Sequence, residues 1–411
     1  MTTGDGNTAM GYQALASEDA HGNNVAVGYQ TLKTQDAGAD GFNTAVGYQA
    51  GTAITTGTDN TFVGSNAGDA LIDSDHNVAI GHQALTADTK GSKSTAVGAF
   101  SLNAQNFTSA ADSYNTAIGY VAGGAVTTGV RNTLIGGLTG DALTEGEDNT
   151  YIGYNAGGSD DLGNYNVGIG SGALSSLNYT GETNGFNTAV GYNALNDCTT
   201  AVQNTTMGNE AGGSVTTGSY NICIGNAAAN HDNPLTTGGS NIIIGAYADT
   251  SAQAGASQLV LGYNVTSAGD NNFTFGNTST DSNIAHGATS ISAPSDERLK
   301  EDIKDETVGL AFINELRPVT FQWKKEKDVP SDMGAYVKDS DKRVMNGKYN
   351  HGFIAQEVKA VIDKHDIKDG LGLWMESGKD KRQRLAEGEL IPFLVKAIQE
   401  LSAEVKALKG E

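Results

Sequence analysis

The strongest constraint on how this chain folds is a five-residue pattern, Asn-x-x-apolar-Gly, that returns fifteen times. Its glycines are Gly11, Gly28, Gly47, Gly64, Gly81, Gly98, Gly119, Gly136, Gly153, Gly170, Gly191, Gly208, Gly225, Gly245 and Gly262. The intervals are 17, 19, 17, 17, 17, 21, 17, 17, 17, 21, 17, 17, 20 and 17 residues. The residue before each glycine is always apolar, and Asn stands four before it in thirteen of the fifteen copies, Ser94 and Gln258 being the exceptions. A shorter echo ends at Phe275-Gly276. A flexible linker has no reason to keep such a register. One 17-residue unit cannot bury a core alone, so successive units must stack.

Each position of the pattern has a physical reading. The Val- and Ile-rich core suits a short strand. Alternation puts the Asn and the residue two before the glycine on one face, and the residue just before the glycine on the other. The invariant apolar position is then the expected repeat core, with Val27, Val46, Val63, Ile80, Val97, Ile118, Ile135 and Ile152 buried coil upon coil. The Asn copies are expected to form a ladder of amides between coils. The glycine permits a positive φ or a close backbone approach at a corner. The longer intervals place extra residues in turns, as before Tyr114 and Gly185. The expected fold is mainly β, a parallel β-solenoid or β-roll of about fifteen 17-residue coils over residues 1–276. At about 4.8 Å per coil it forms a rod on the order of 70 Å long.

Composition changes near residue 294. Residues 1–294 hold 24 Asp and Glu against four basic residues, Lys33, Lys90, Lys93 and Arg131. Residues 295–411 hold 23 acidic and 21 basic residues. Residues 277–294 read as a connector. The acidic first part disfavours nucleic acid and anionic membrane faces. The 55 Gly with only 5 Pro and 18% charged residues suit a fibre better than generic disorder. Cys198 and Cys223 lie in no CxxC or Cys/His spacing, so neither a metal nor a cofactor is expected. The turn Asp73-Ser74-Asp75 lacks the ligand spacing of a calcium loop. The first residues show no basic and apolar leader, and no apolar run approaches the ~20 residues that span a bilayer, so membrane insertion is not expected.

After Pro294 the chain reads as a small α/β domain. Val308, Phe312, Ile313 and Leu316 form a helical stripe that Pro318 ends, and Val319–Trp323 reads as a strand. His351-Gly352-Phe353-Ile354 leads from a turn into another helix. The run Ile391, Leu394, Ile398, Leu401, Val405, Leu408 is spaced 3, 4, 3, 4, 3, the mark of a coiled-coil seam in a helix at about 390–408. A helix facing its own core is the alternative use of the same spacing.

Two resemblances follow from these residues. The Asn-Thr-Ala-Val-Gly-Tyr repeats resemble the head repeats of trimeric autotransporter adhesins and the shafts of phage tail fibres, although the adhesin repeat is usually shorter. That resemblance implies three chains packed side by side. Ser-Asp-Glu-Arg-Leu-Lys at 295–300, Leu-Arg-Pro-Val-Thr-Phe-Gln-Trp-Lys at 316–324 and His-Gly-Phe-Ile-Ala-Gln-Glu-Val at 351–358 resemble the C-terminal chaperone of phage endosialidases, tail fibres and neck appendages, also found in the myelin regulatory factor. This second resemblance implies a homotrimer whose C-terminal domain guides folding of the fibre and then cuts itself off. It maps the nucleophile to Ser295, the general base to Lys300, a weaker supporting role to His351, and the cut to the Pro294–Ser295 bond. A serine hydroxyl needs a partner to take its proton, and a lysine serves once its pKa is lowered. The cut is a single event within the chain, and no turnover activity is expected of the fibre. The implied location is a virion tail assembled in the host cytoplasm. Its implied partners are other tail or baseplate proteins and a host surface receptor, a glycan among the options. A bacterial surface adhesin and a tailspike with glycan-degrading activity are the alternatives. No carboxylate pair stands out for the latter.

Overall fold

The structure is a computed structural model describing residues 5–19, 22–278, 280–288, 291, 295, 297–345, 347–367, 372–377 and 381–410. The chain divides into two units, Met1–Ser295 and Asp296–Glu411. In the first unit each copy of the pattern forms a short strand, from Thr8–Met10 and Val25–Val27 onward, lengthening to Leu259–Tyr263 and Asn272–Asn277 at the end. Each strand pairs in parallel with the next copy, and a final strand, Thr280–Ala285, folds back antiparallel on the last of them. The result is a β-solenoid of about 16 turns, one more than the clear repeats, because the echo at Phe275-Gly276 also builds a coil.

Register is uniform. Thr44, Ala45 and Val46 lie opposite Thr61, Phe62 and Val63. It survives the 21-residue interval, where Thr95 still faces Thr116, because the extra residues stay in the turns. There Gly91–Ser92 pairs with Ala111–Asp112, and Gly163–Asn164 pairs with Thr183–Asn184.

The Asn side chains pin each coil twice. The Asn43 Oδ1 accepts the backbone N–H of Asn60 at 2.9 Å in the next coil, and the Asn60 Oδ1 accepts that of Asn77 at 2.9 Å. Across the coil, the Asn43 Nδ2 donates to the Gly57 carbonyl at 2.8 Å and the Asn60 Nδ2 to the Ser74 carbonyl at 2.8 Å. These bonds satisfy backbone groups that would otherwise be buried without partners. The corner glycine is needed for two reasons. Gly47 has φ +143°, and a Cβ there would lie 2.3 Å from the carbonyl oxygen of Gly64 in the next coil. No side chain fits between the two backbones.

The structure corrects the expected core. Within the single chain, the coil interior is filled by the residue two before the glycine. Ala45, Phe62, Ala79, Leu134 and Tyr151 are all fully buried. The residues expected there stand on the outer face: Val27, Val63, Val97, Ile135 and Ile152 are half-buried, while Val46, Ile80 and Ile118 are 37–39% exposed. The alternation was right and the choice of face was not. The inner position varies in size because it is packed jointly with the fourth residue after the glycine. Where the first is large the second is Gly: a Cβ at Gly68 would fall 2.5 Å from the Phe62 ring, and one at Gly51 in the preceding coil 2.6 Å from it. Where the first is small, as at Ala79 and Ala96, Leu85 and Leu102 take the space and are fully buried. Where both positions are small, as at Ala45 with Gly51 and Ala117 with Gly123, bulky side chains of the neighbouring coils fill the space, Phe62 and Leu32 against Gly51 and Leu134 and Leu102 against Gly123.

The second unit is built on three helices, α1 (Leu310–Glu315), α2 (Ala355–Lys364) and α3 (Ile391–Lys409). Phe312, Val358, Ile362, Leu373, Leu390 and Phe393 form its core. The Phe312 and Phe393 rings lie 5.5 Å apart. Glu400 on α3 accepts the N–H of Leu310 at 2.7 Å, covering an otherwise unpaired donor at the start of α1. Two small antiparallel pairs complete the unit, Val319–Phe321 with Asn350–Gly352 and Trp374–Ser377 with Arg382–Leu385.

Candidate functional site

Of the residues implied for self-cleavage, Ser295 ends the first unit, and Lys300 and His351 belong to the second. Pro294 and Asp296 lie outside the described residues. Ser295 is the last residue of the first unit and is exposed. In the second unit, Glu297–Leu299 form one turn of 3₁₀ helix, and the Lys300 N–H donates to the Glu297 carbonyl at 3.0 Å to close it. The Lys300 side chain is exposed. His351 sits in the strand Asn350–Gly352 and not in the turn read from the sequence. It faces Thr320, whose Oγ1 lies 3.3 Å from the His351 Nδ1.

α3 carries a second set of candidate residues. Its inward face is Phe393 and Ala397, both buried. Ile391, Leu394, Ile398, Leu401, Val405 and Leu408 are 40–88% exposed and form a separate stripe about a quarter-turn round the helix. The 3-4 spacing therefore does not serve the unit's own core, which uses a different stripe of the same helix.

Residues 295–367 match the family described as chaperone of endosialidase. With that domain behind a β-solenoid of about 16 turns, the chain fits a phage tail fibre or spike with a C-terminal chaperone domain. No curated protein and no solved structure matches the chain significantly. The match spans the Ser295 and His351 segments, α1 and α2, and stops short of α3. Among the described residues no helix is long and apolar enough to cross a membrane.

Sequence reading missed two features of the solenoid. One is the size exchange across the glycine, visible as an anticorrelation between two columns of residues. The other is a set of buried carboxylates, Asp88 and Asp160, at an inward position that is apolar in other coils, as at Ile54, Leu71 and Leu143. The Tyr151 hydroxyl donates to the Asp160 Oδ2 at 2.5 Å, and the Gly163 N–H donates to its Oδ1 at 3.0 Å. Burial nonetheless pushes the Asp160 carboxyl up to about 6. Asp75 is a turn acceptor, taking the Thr58 N–H at 2.7 Å.

Proposed function

We propose that this chain is a homotrimeric phage tail fibre that contacts the host surface, and that its chaperone domain aligns three copies and then releases itself by cutting between Pro294 and Ser295. The observation that carries the assembly is a pair of unpartnered apolar stripes. On the solenoid, the residues one and three before each glycine are Val, Ile, Thr, Leu, Met or Phe in every coil, with no charge among them, in a unit that is otherwise strongly acidic. A partner that covers such a stripe along its length must itself repeat with the same period, which this chain does. On α3, the heptad residues supply a seam for parallel alignment at the end of the chain. Register slips are the main hazard for near-identical coils, and alignment from one end removes them.

For the cut, the Ser295 Oγ attacks the Pro294 carbonyl carbon as Lys300 takes the hydroxyl proton. The peptide nitrogen takes that proton back from Lys300 and leaves as the Ser295 amine, giving an ester that water then hydrolyses. Lys300 must lose its hydration first, so cleavage is expected only after assembly. His351 is a supporting residue in this scheme. Intact mass spectrometry of the expressed chain should find residues 1–294 and 295–411 as separate products, with Ser295→Ala and Lys300→Ala each staying whole. Light scattering of the uncut Ser295→Ala chain should give three times the chain mass. Wild-type chain that remains whole after long incubation sinks the cleavage, and a monomer sinks the assembly.

A further inference from the structure

The residue just after the corner glycine stands beyond the turn and off the β-branched stripe, and in the middle of the solenoid it follows a pattern of its own. Tyr120, Gly137, Tyr154, Ser171 and Tyr192 occupy this position in five consecutive coils. Backbone bonds fix their adjacency: Leu138 N–H to Tyr120 O, Asn155 N–H to Gly137 O, Gly172 N–H to Tyr154 O and Asn193 N–H to Ser171 O, at 2.9–3.1 Å. The three tyrosines are 60%, 61% and 54% exposed. They stand two coils apart, roughly 10 Å from the strand spacing, with a small residue in each gap. The first coils offer a contrast. Tyr12, Tyr29 and Tyr48 stand in adjacent coils, and their rings stack on one another with centroids 5.2–5.3 Å apart. There the ring faces cover each other. In the middle coils the alternation leaves slots open between them.

The geometry points to a binding comb for a linear neutral polysaccharide that seats a sugar ring, its mean plane across the fibre axis, in each of the two slots. This deepens the host-contact reading and rests on it. A sugar ring has an apolar C–H face that packs against the negative face of an aromatic ring, and the small residues Gly137 and Ser171 leave room for one between successive tyrosines. None of the five comb residues or the four that follow them between Leu138 and Asn193 is charged, and the unit holds 24 acidic against four basic residues. A polyanionic chain would be repelled.

The test fills the gaps. A Cβ at Gly137 would meet nothing closer than the Tyr154 ring at 3.8 Å, so Gly137→Tyr is sterically open. The stacked tyrosines of the first coils indicate that Gly137→Tyr with Ser171→Tyr should keep the fold. Full-length protein is titrated against an array of linear neutral hexasaccharides built on glucose, galactose, mannose and N-acetylhexosamines, with anionic counterparts alongside. At least one neutral probe should bind the wild type. Tyr154→Ala, which opens both slots, and the filled double variant should each weaken that binding at least tenfold with unchanged thermal unfolding. Failure of every neutral probe, a preference for the anionic set, or undiminished binding by the filled variant overturns the comb. Adsorption to a panel of bacterial strains separates the two readings. If wild-type and filled fibres adsorb equally, host contact stands and the comb fails; if wild-type fibre adsorbs to none, the contact reading fails.

Discussion

Packing the coil interior by exchange makes an unusual demand on mutants. Phe62→Ala empties the space that the ring fills over Gly51 and Gly68 and should cost about 3–5 kcal/mol. Gly68→Leu in the wild-type background drives a side chain into the Phe62 ring, where even a Cβ comes within 2.5 Å, and should cost at least about 1–3 kcal/mol. Backbone geometry does not forbid leucine there: Gly68 has φ +57° and Leu85, its counterpart in the next coil, has φ +54°. In the Phe62→Ala background the same Gly68→Leu change therefore reverses sign. It rebuilds the Ala79–Leu85 arrangement and should recover about 1–3 kcal/mol, leaving only the Gly51 side empty. Guanidinium unfolding followed by circular dichroism, in a Ser295→Ala chain that stays whole, measures all four corners of this cycle. If Gly68→Leu destabilises both backgrounds equally, the two positions do not share one volume and the packing argument is wrong.

Four other expectations follow. Asp160 titrates near 6 in the folded chain and near 3.9 unfolded, so the folded state holds its proton more tightly. Its contribution is full below about pH 4 and is lost as pH rises through 6, a fall of about 2–3 kcal/mol; Asp160→Asn should flatten that part of the stability profile in unfolding runs across pH 4–7. Ile398→Asp should abolish association while the second unit stays folded, whereas Phe393→Ala should loosen that unit by about 3–5 kcal/mol; light scattering and near-ultraviolet dichroism distinguish the two. Residues 1–294 expressed alone should aggregate, and a soluble assembled product from them would remove the need for the chaperone domain. Val63→Asp should leave soluble single chains, because its place is the outer stripe.

The solenoid was legible because its period is nearly strict and its turns absorb the exceptions. Which face is the core was not. Val46 and Ile80 never vary in character, while their inward neighbours Ala45 and Ala79 look too small to matter. Constancy on the outside reflects one requirement repeated in every coil, and variation on the inside reflects two positions solving a packing problem together. In the second unit, α1 and α3 were readable from periodicity. The strand Asn350–Gly352 and the pair Trp374–Ser377 with Arg382–Leu385 were not, because mostly polar residues fill them and no apolar alternation marks them as strands. Ser295 and Lys300 carry no local mark of chemistry; only the resemblance of their segment singled them out.

The last strand of the solenoid has a consequence for what can pair with its end. A parallel coil presents the next one with a template, edge for edge, and an exposed template recruits strangers. Thr280–Ala285 runs the other way, and the Asn ladder has already ended at Gln258, whose side chain turns to Asp270 at 2.7 Å. No further coil of this kind can grow past that point. The strand lies upstream of Ser295, so a cut there would leave the stopper with the fibre: the mature tip would carry its own terminus of growth, and the departing domain would take none of it away.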